Sequence, residues 1–106
     1  MVGAFKAQTS GAQTVDVLKA NGPRIRTVPG KRGLNACSTP ELDVLGERQC
    51  ITDVVFAGAV TSIGIDSTGR AARELGYQVN VLSDCTAGRT NDEQAFYCEY
   101  IFPSYA

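Results

Sequence analysis

The sequence has 106 residues, of which 43% are hydrophobic, and its formal net charge is −1. A chain of this length forms one small domain with a single core, and residues 1–106 are taken as one domain. A net charge so close to zero gives no basic surface for nucleic acid and no attraction to acidic membranes, so neither partner is expected.

The composition also restricts the location and the chemistry. The sequence has no apolar segment that resembles a signal peptide or a membrane span, which predicts a cytoplasmic protein. Its four cysteines are too widely spaced for a CxxC site and are interpreted as free thiols. Histidine is absent, which excludes Ser-His-Asp and Cys-His triads and His-ligated zinc. We expect neither a metal nor a cofactor.

The amino-terminal third has weak periodicity and predicts only short elements. Thr14 to Ala20 is predicted to form a helix, and Arg24 to Val28 alternates as a short strand would. Lys31 to Pro40 has the composition of a loop. A second helix is expected to begin at Thr39-Pro40-Glu41, because proline is favoured at the first helical position.

The rest of the chain alternates between strand and helix patterns. Ile51 to Ala57 is a β-branched and aromatic run typical of a strand buried on both faces, and Tyr77 to Leu82 is the next predicted strand. Asp84 to Arg89 is predicted to be a polar loop, followed by a last helix over Asn91 to Tyr100 that ends before Pro103. A helix between the strands stops at Gly76, and its apolar face is formed by Ile65, Thr68, Ala72 and Leu75. The order predicts an α/β fold with a parallel sheet, right-handed crossovers and a site at the carboxyl ends of the strands.

The turn between the first of these strands and its helix, GAVTSIGIDST over Gly58 to Thr68, is the strongest candidate site. A strand that ends in a Gly-started turn and continues into a helix directs backbone N–H groups toward one point, where anions and oxyanions bind. Ser62 lies in this turn, but its hydroxyl is a weak nucleophile without a histidine. A role for Ser62 as the N-cap of the helix is therefore favoured over a catalytic one.

Several motifs in a fixed order carry a family resemblance. They are Lys31-Arg32-Gly33-Leu34-Asn35-Ala36, Gly58-Ala59-Val60-Thr61 with Ser67-Thr68-Gly69-Arg70-Ala71-Ala72, Gly76-Tyr77-Gln78-Val79, and Asp84-Cys85-Thr86-Ala87. Together they resemble the isochorismatase-like cysteine hydrolases, which include nicotinamidases, N-carbamoylsarcosine amidases and biuret amidases. The resemblance covers about residues 30–106. It implies a truncated form of the family's three-layer, Rossmann-like parallel sheet, with three or four strands.

The resemblance also implies a chemistry. In the family, a Cys thiolate attacks a carbonyl or imine carbon while Asp and Lys manage its proton, so that an amide-type C–N bond or an enol ether is hydrolysed. By position, Lys31 is the family Lys, and the family's cis peptide bond would join Ala59 to Val60. The oxyanion would then be held by the N–H groups of Val60 and Gly64.

Two departures from the family pattern affect this site. The nucleophilic Cys falls on Gly64, and the catalytic Asp belongs to a first strand for which the sequence shows no counterpart. Of the triad only Lys31 remains, and an ordinary surface lysine is the alternative interpretation of it. Cys37 in the Lys31 loop and Cys85 after the second strand are candidate substitute thiols with a lowered pKa, against an interpretation as inert cysteines. Asp84 is interpreted as structural, and Asp66 is expected to pair with Arg70, four positions away.

Three functions remain open on these grounds. The first is a family hydrolase homologue with little or no activity of its own. The second is a non-catalytic module that binds a small molecule or pairs with another chain that completes the sheet. The third is a fragment or an inactivated variant of a longer protein. A sheet without its early strands exposes an edge and an apolar face, so we expect a homo-oligomer or a partner chain.

Overall fold

The computed structural model describes residues 20, 22–25, 28 and 33–106. The predicted helix over Thr14 to Ala20 lies outside the described residues except for Ala20, and Lys31 lies outside them altogether. The described part contains three α-helices and two strands, in the order α1 (Pro40–Arg48), β1 (Asp53–Ala59), α2 (Asp66–Glu74), β2 (Gln78–Ala87) and α3 (Asn91–Phe96). None of its helices is long and apolar enough to cross a membrane.

The two strands pair in parallel, as the order of the elements predicts. Asp53 lies opposite Gln78 and Phe56 opposite Val81, but the register then shifts, so that Gly58 lies opposite Thr86. A hydrogen bond from the Thr86 hydroxyl to the Leu82 carbonyl, 2.9 Å long, spans the extra residues of β2. The strands nevertheless end side by side, which brings the turn after β1 next to the loop after β2. The α/β class with a parallel sheet is confirmed, and the described residues contribute two strands to it.

Some boundaries differ from the predicted ones. β2 continues through Asp84 to Ala87, because its polar residues lie on exposed positions where a half-solvated strand tolerates them. Arg24, the predicted start of a strand, belongs to the 3-10 turn Gly22–Arg24. After α3 the chain remains helical, first as a π-helix over Tyr97–Ile101 and then as a 3-10 turn over Phe102–Ser104. Pro103 does not end the helical region, because it lies at the start of that turn, where no N–H is required of it.

The core of the described part is small. Its buried apolar residues are Ile65, Ala72, Val79 and Phe102. Three of the four residues of the predicted apolar face of α2 are buried, but Leu75 at its end is 53% exposed. Val55 is 60% exposed, so the prediction of a strand buried on both faces is wrong for β1 in the described structure. No described element covers the side of β1 that carries Val55 well enough to exclude water from it.

The end of the chain is attached to α2 by Tyr105. The Tyr105 hydroxyl donates to Asp66 Oδ1 over 2.8 Å, and the Arg70 guanidinium lies over the tyrosine ring at 5.4 Å from its centroid. Asp66 and Arg70 form the predicted ion pair, with 3.0 Å between Arg70 Nε and Asp66 Oδ2. A Cβ atom at Gly69 would lie 3.0 Å from the Tyr105 hydroxyl, so the absence of a side chain there allows the ring to approach.

Tyr105→Phe removes the hydroxyl that donates to Asp66 and should lower the free energy of unfolding by about 1.5–3 kcal/mol, the usual net contribution of a hydrogen bond to a charged group. Chemical denaturation measures this change. Tyr100→Phe is the matched control, because Tyr100 is 62% exposed and its hydroxyl has no hydrogen-bond partner among residues 33–106. An equal loss of unfolding free energy in Tyr105→Phe and Tyr100→Phe would contradict the assigned hydrogen bond between Tyr105 and Asp66.

Candidate functional site

The turn after β1 has a continuous helical geometry that begins immediately after an extended residue. The peptide bond between Ala59 and Val60 is cis, at the position that the resemblance implies. Val60 is extended, and Thr61–Ile65 then forms a π-helical turn that runs into α2 without a break. The Val60 carbonyl accepts hydrogen bonds from the N–H groups of Ile63 at 3.0 Å and Ile65 at 3.2 Å. The first turn of the helix is thereby closed onto the end of the strand.

Gly64 is the fourth residue of this π-helical turn. Its φ angle is outside the left-handed region, in contrast to Gly58 at 121° and Gly76 at 98°. The backbone at Gly64 is therefore one that any residue adopts, and the conformation itself does not require glycine. The residue onto which the resemblance places the family's nucleophile thus has no reactive group and an ordinary helical backbone.

The N–H of Val60 is one of the two donors that the resemblance assigns to an oxyanion. Among residues 33–106, no atom accepts a hydrogen bond from it. It lies at the start of a helical segment that continues from Thr61 to Glu74, where the backbone dipoles favour negative charge. Chemically, such an arrangement is suited to an oxygen atom that carries or develops negative charge.

Two adjacent hydroxyls attach the turn to α3. Thr61 is fully buried, and its hydroxyl donates to Gln94 Oε1. The Ser62 hydroxyl donates to Glu93 Oε1 over 2.6 Å. Ser62 is therefore not the N-cap that the sequence predicts, because the helical turn already begins at Thr61 and Val60 occupies the cap position. Neither Glu93 nor Gln94 was identified from the sequence as part of the site.

Glu93 is held by donors on two sides. Besides Ser62, the backbone N–H of Arg89 donates to it at 3.2 Å and Arg89 Nε at 3.0 Å. The hydrogen bond from Ser62, followed by those from Arg89, lowers the pKa of the Glu93 carboxyl below its ordinary value. A carboxylate that is stabilised in this way is a weaker base, so Glu93 is poorly suited to activate the Ser62 hydroxyl.

The two candidate substitute thiols have a pKa shifted in the unreactive direction. Burial, followed by the charge of Asp43, raises the pKa of Cys37. The charge of the neighbouring Asp84 carboxylate, followed by burial, raises the pKa of Cys85, which is exposed on β2. Both shifts are opposite in direction to the lowered pKa of a substitute thiol, which favours the alternative interpretation of Cys37 and Cys85 as inert cysteines. A negative neighbour disfavours the thiolate, which is the nucleophilic form.

The loop that follows Lys31 in the sequence is attached to α2 through Thr68. The Thr68 hydroxyl accepts the N–H of Ala36 at 3.0 Å, and the Thr68 carbonyl lies 3.8 Å from the Cys37 sulfur. Asn35 closes the short turn between them, because its side chain accepts the N–H of Cys37 at 2.7 Å. Thr68 was predicted as a core residue and as part of a family motif, and it also fixes the end of the Lys31 loop beside the helix that starts at the site.

An apolar groove of about 630 Å³ lies between α1, β1 and α2. Cys37 and Tyr77 line it, and the Tyr77 hydroxyl donates to Asp43 Oδ1 at 3.4 Å across one wall. Neither Val60 nor Gly64 is among its lining residues. The groove is therefore separate from the turn, and Cys37 belongs to the groove.

Glu93→Gln removes the charge that Ser62 and Arg89 stabilise. Since the folded-state pKa of Glu93 is depressed, its contribution to stability is present above its ordinary value of 4.5 and is lost as the pH falls through the lower, folded value. The difference in unfolding free energy between the original chain and Glu93→Gln should therefore shrink as the pH falls below 4.5.

Denaturant titrations at a series of pH values measure this difference. Glu99→Gln, at an exposed residue with no ion pair in the described part of the chain, is the control for the loss of a carboxylate. A difference for Glu93→Gln that does not change with pH would contradict the assigned contacts.

The comparisons with known proteins agree in one family. A family model described as the isochorismatase domain matches residues 1–106, a wider range than the motifs alone cover. The chain is 34% identical over 73 residues to YwoC, an isochorismatase family protein of Bacillus subtilis strain 168. That match covers 69% of this chain and 39% of YwoC.

Solved structures give the same result. An isochorismatase family protein from Burkholderia thailandensis matches with a TM-score of 0.69 and 39% identity, over 72% of this chain and 40% of that one. A pyrazinamidase/nicotinamidase from Streptococcus mutans UA159 matches with a TM-score of 0.73 and 25% identity, over 84% of this chain and 49% of that one. The chain thus spans less than half the length of each of these relatives.

Proposed function

Because the chain belongs to the isochorismatase family, we propose that the turn over Gly58 to Ile65 is the counterpart of the family's nucleophile turn. The chain as it stands is then a hydrolase homologue with little or no activity. The observation that carries this proposal is the ordinary helical backbone of Gly64, the fourth residue of the turn that follows the extended Val60.

We expect little or no activity because none of the remaining groups can replace the nucleophile. Gly64 has no atom that can attack a carbonyl carbon, and an oxyanion site without a nucleophile stabilises a charge that does not form. The Ser62 hydroxyl donates to a carboxylate of reduced basicity, and the thiols of Cys37 and Cys85 have a raised pKa. Lys31, as the family Lys, would have no thiol whose proton it could manage.

The substrate class of this ancestry is an amide-type C–N bond or an enol ether. The similarity to a pyrazinamidase/nicotinamidase makes nicotinamide and pyrazinamide the first probes to use. In such a substrate the carbonyl oxygen would lie against the N–H groups of Val60 and Gly64, which would stabilise the tetrahedral oxyanion.

The chain with Gly64→Cys should hydrolyse these amides when it is mixed with the amino-terminal half of a family member, which supplies the missing Asp. The reason is that the thiol restores the attacking group and the added half restores the proton acceptor. Ammonia release measures turnover, and Gly64→Ala in the same mixture is the matched control with a side chain but no thiol. We expect at least a tenfold difference in rate between the two variants.

The original chain should show no turnover above background in the same assay. Hydrolysis by the original chain that survives both Cys37→Ala and Cys85→Ala would contradict the proposed loss of the nucleophile. Failure of Gly64→Cys to exceed Gly64→Ala would contradict the assignment of the turn.

The exposed apolar surface of β1 favours a second candidate, a non-catalytic module that assembles with another copy of this chain. Val55 is 60% exposed, and Ile51 and Leu75 nearby are 41% and 53% exposed. All three residues also line the groove beside β1. Covering such surface removes apolar area from water, which favours association.

Sedimentation velocity should therefore detect a species at least twice the 11.3 kDa of one chain. Val55→Lys places a charge on the exposed side of β1 and should shift the distribution toward the monomer. Leu34→Lys is the control, because Leu34 has the same exposure of 60% but lies in the loop before α1. A folded monomer at all concentrations would exclude the self-assembly.

A further inference from the structure

We propose that α3 is a clamp for the nucleophile turn, in which Gln94 is the principal positioning residue and Glu93 the second one. Their side chains bind Thr61 and Ser62, which lie between the two proposed oxyanion donors, Val60 and Gly64. The inference rests on the proposed function of the turn, and it assigns to α3 a role that the motifs of the sequence do not contain.

The clamp affects the proposed oxyanion donors because the two bound hydroxyls lie between them in the sequence. Thr61 and Ser62 directly follow Val60 and precede Gly64 by three and two positions, so their placement sets the distance between the two N–H groups. A preorganised site holds its groups to within about 0.5 Å of the productive geometry. Two consecutive hydrogen bonds to one helix fix this short segment against both translation and rotation.

The orientation of the Gln94 amide is determined by its partners. Its Nε2 group donates to the Ser83 carbonyl at 3.1 Å and to the Thr86 hydroxyl at 2.8 Å. A carbonyl only accepts hydrogen bonds, so Nε2 must lie on this side and Oε1 must face Thr61. The Thr61 hydroxyl therefore donates to Oε1. Gln94 connects the turn after β1 to the end of β2 through a single side chain.

Glu93 is held in place independently of Gln94. Its backbone N–H donates to the Thr90 hydroxyl at 3.1 Å, which caps the start of α3. Its carboxylate accepts from Arg89 and from Ser62. The loop after β2, the start of α3 and the turn after β1 are thus joined in one hydrogen-bonded unit.

The test uses a thiol introduced by Gly64→Cys as a reporter of the turn. Its alkylation by iodoacetamide is followed as a function of pH, with peptide mass spectrometry to separate it from the four native cysteines. A thiol at the start of a helix should ionise below the ordinary value of about 8.5, because the N–H groups there stabilise the thiolate. The midpoint and the rate therefore report how well those groups are aligned.

Thr61→Val and Gln94→Met, each added to Gly64→Cys, remove the hydrogen bond between these two side chains without adding or removing a charge. Gln94→Met also removes the hydrogen bonds to Ser83 and Thr86. Each should raise the midpoint of alkylation by about half a pH unit or more, which lowers the rate at pH 7 about threefold. Thr61→Ser keeps a hydroxyl and should preserve the midpoint. Tyr105→Phe removes a hydrogen bond elsewhere on α2 and should leave the midpoint unchanged while it lowers stability.

Unchanged alkylation midpoints and rates in folded Thr61→Val and Gln94→Met would overturn the clamp. If the fully buried Thr61→Val does not fold, the comparison of Gln94→Met with the half-buried Ser62→Ala decides, and both must shift the midpoint for the clamp to stand. The amidase assay separates this inference from the proposed function. Shifted midpoints without turnover support the clamp and contradict the hydrolase assignment, whereas turnover with unshifted midpoints does the reverse.

Discussion

The hydrogen bond between the buried Thr61 hydroxyl and the Gln94 side chain joins the three parts of this structure that meet at the carboxyl ends of the strands. Thr61 has no exposed surface, so a hydroxyl left unpaired there would cost about 1–3 kcal/mol. Gln94 satisfies it and in turn requires acceptors, which Ser83 and Thr86 supply from the irregular end of β2. The Gln94 amide thus links the turn after β1 to the part of β2 that lies opposite the register shift near Phe56.

Local sequence patterns were sufficient to predict the helices and strands but not the contacts between them. β1, α2 and the first half of β2 follow from β-branched runs, a helical apolar face and the Gly76 stop, and all three are present. The continuation of β2 to Ala87 was missed, because strand formation there depends on pairing with Gly58 and Ala59, and not on the composition of the segment. The spacing of Thr90 and Glu93 indicates a helix start, but it contains no signal for Ser62, which is 31 positions away.

At the candidate site, too, the sequence predicted positions along the chain better than chemical properties. The family motifs predicted the cis bond and the turn after it at the positions where the structure has them, since these are properties of ordered sequence positions. The sequence left Cys37 and Cys85 open between substitute thiols and inert cysteines, because a thiol pKa depends on burial and on the carboxylates that the fold brings near it. Asp84 is adjacent to Cys85 in the sequence, but Asp43 acts on Cys37 through the packing of α1.

The contacts of Thr61 and Ser62 bear on two properties that the proposed nucleophile turn would combine, its shape and its reactive group. Glycine in a helical position costs about 0.5–1 kcal/mol relative to alanine, and the helical φ of Gly64 does not need it. The turn keeps its shape because Thr61 and Ser62 are bound to α3, and neither bond involves the residue at position 64. The geometry that aligns the N–H groups is therefore independent of the thiol that would use it. On the proposed assignment the chain lacks the nucleophile but keeps the backbone geometry of the turn, so family membership and activity rest on different atoms of the eight residues from Gly58 to Ile65.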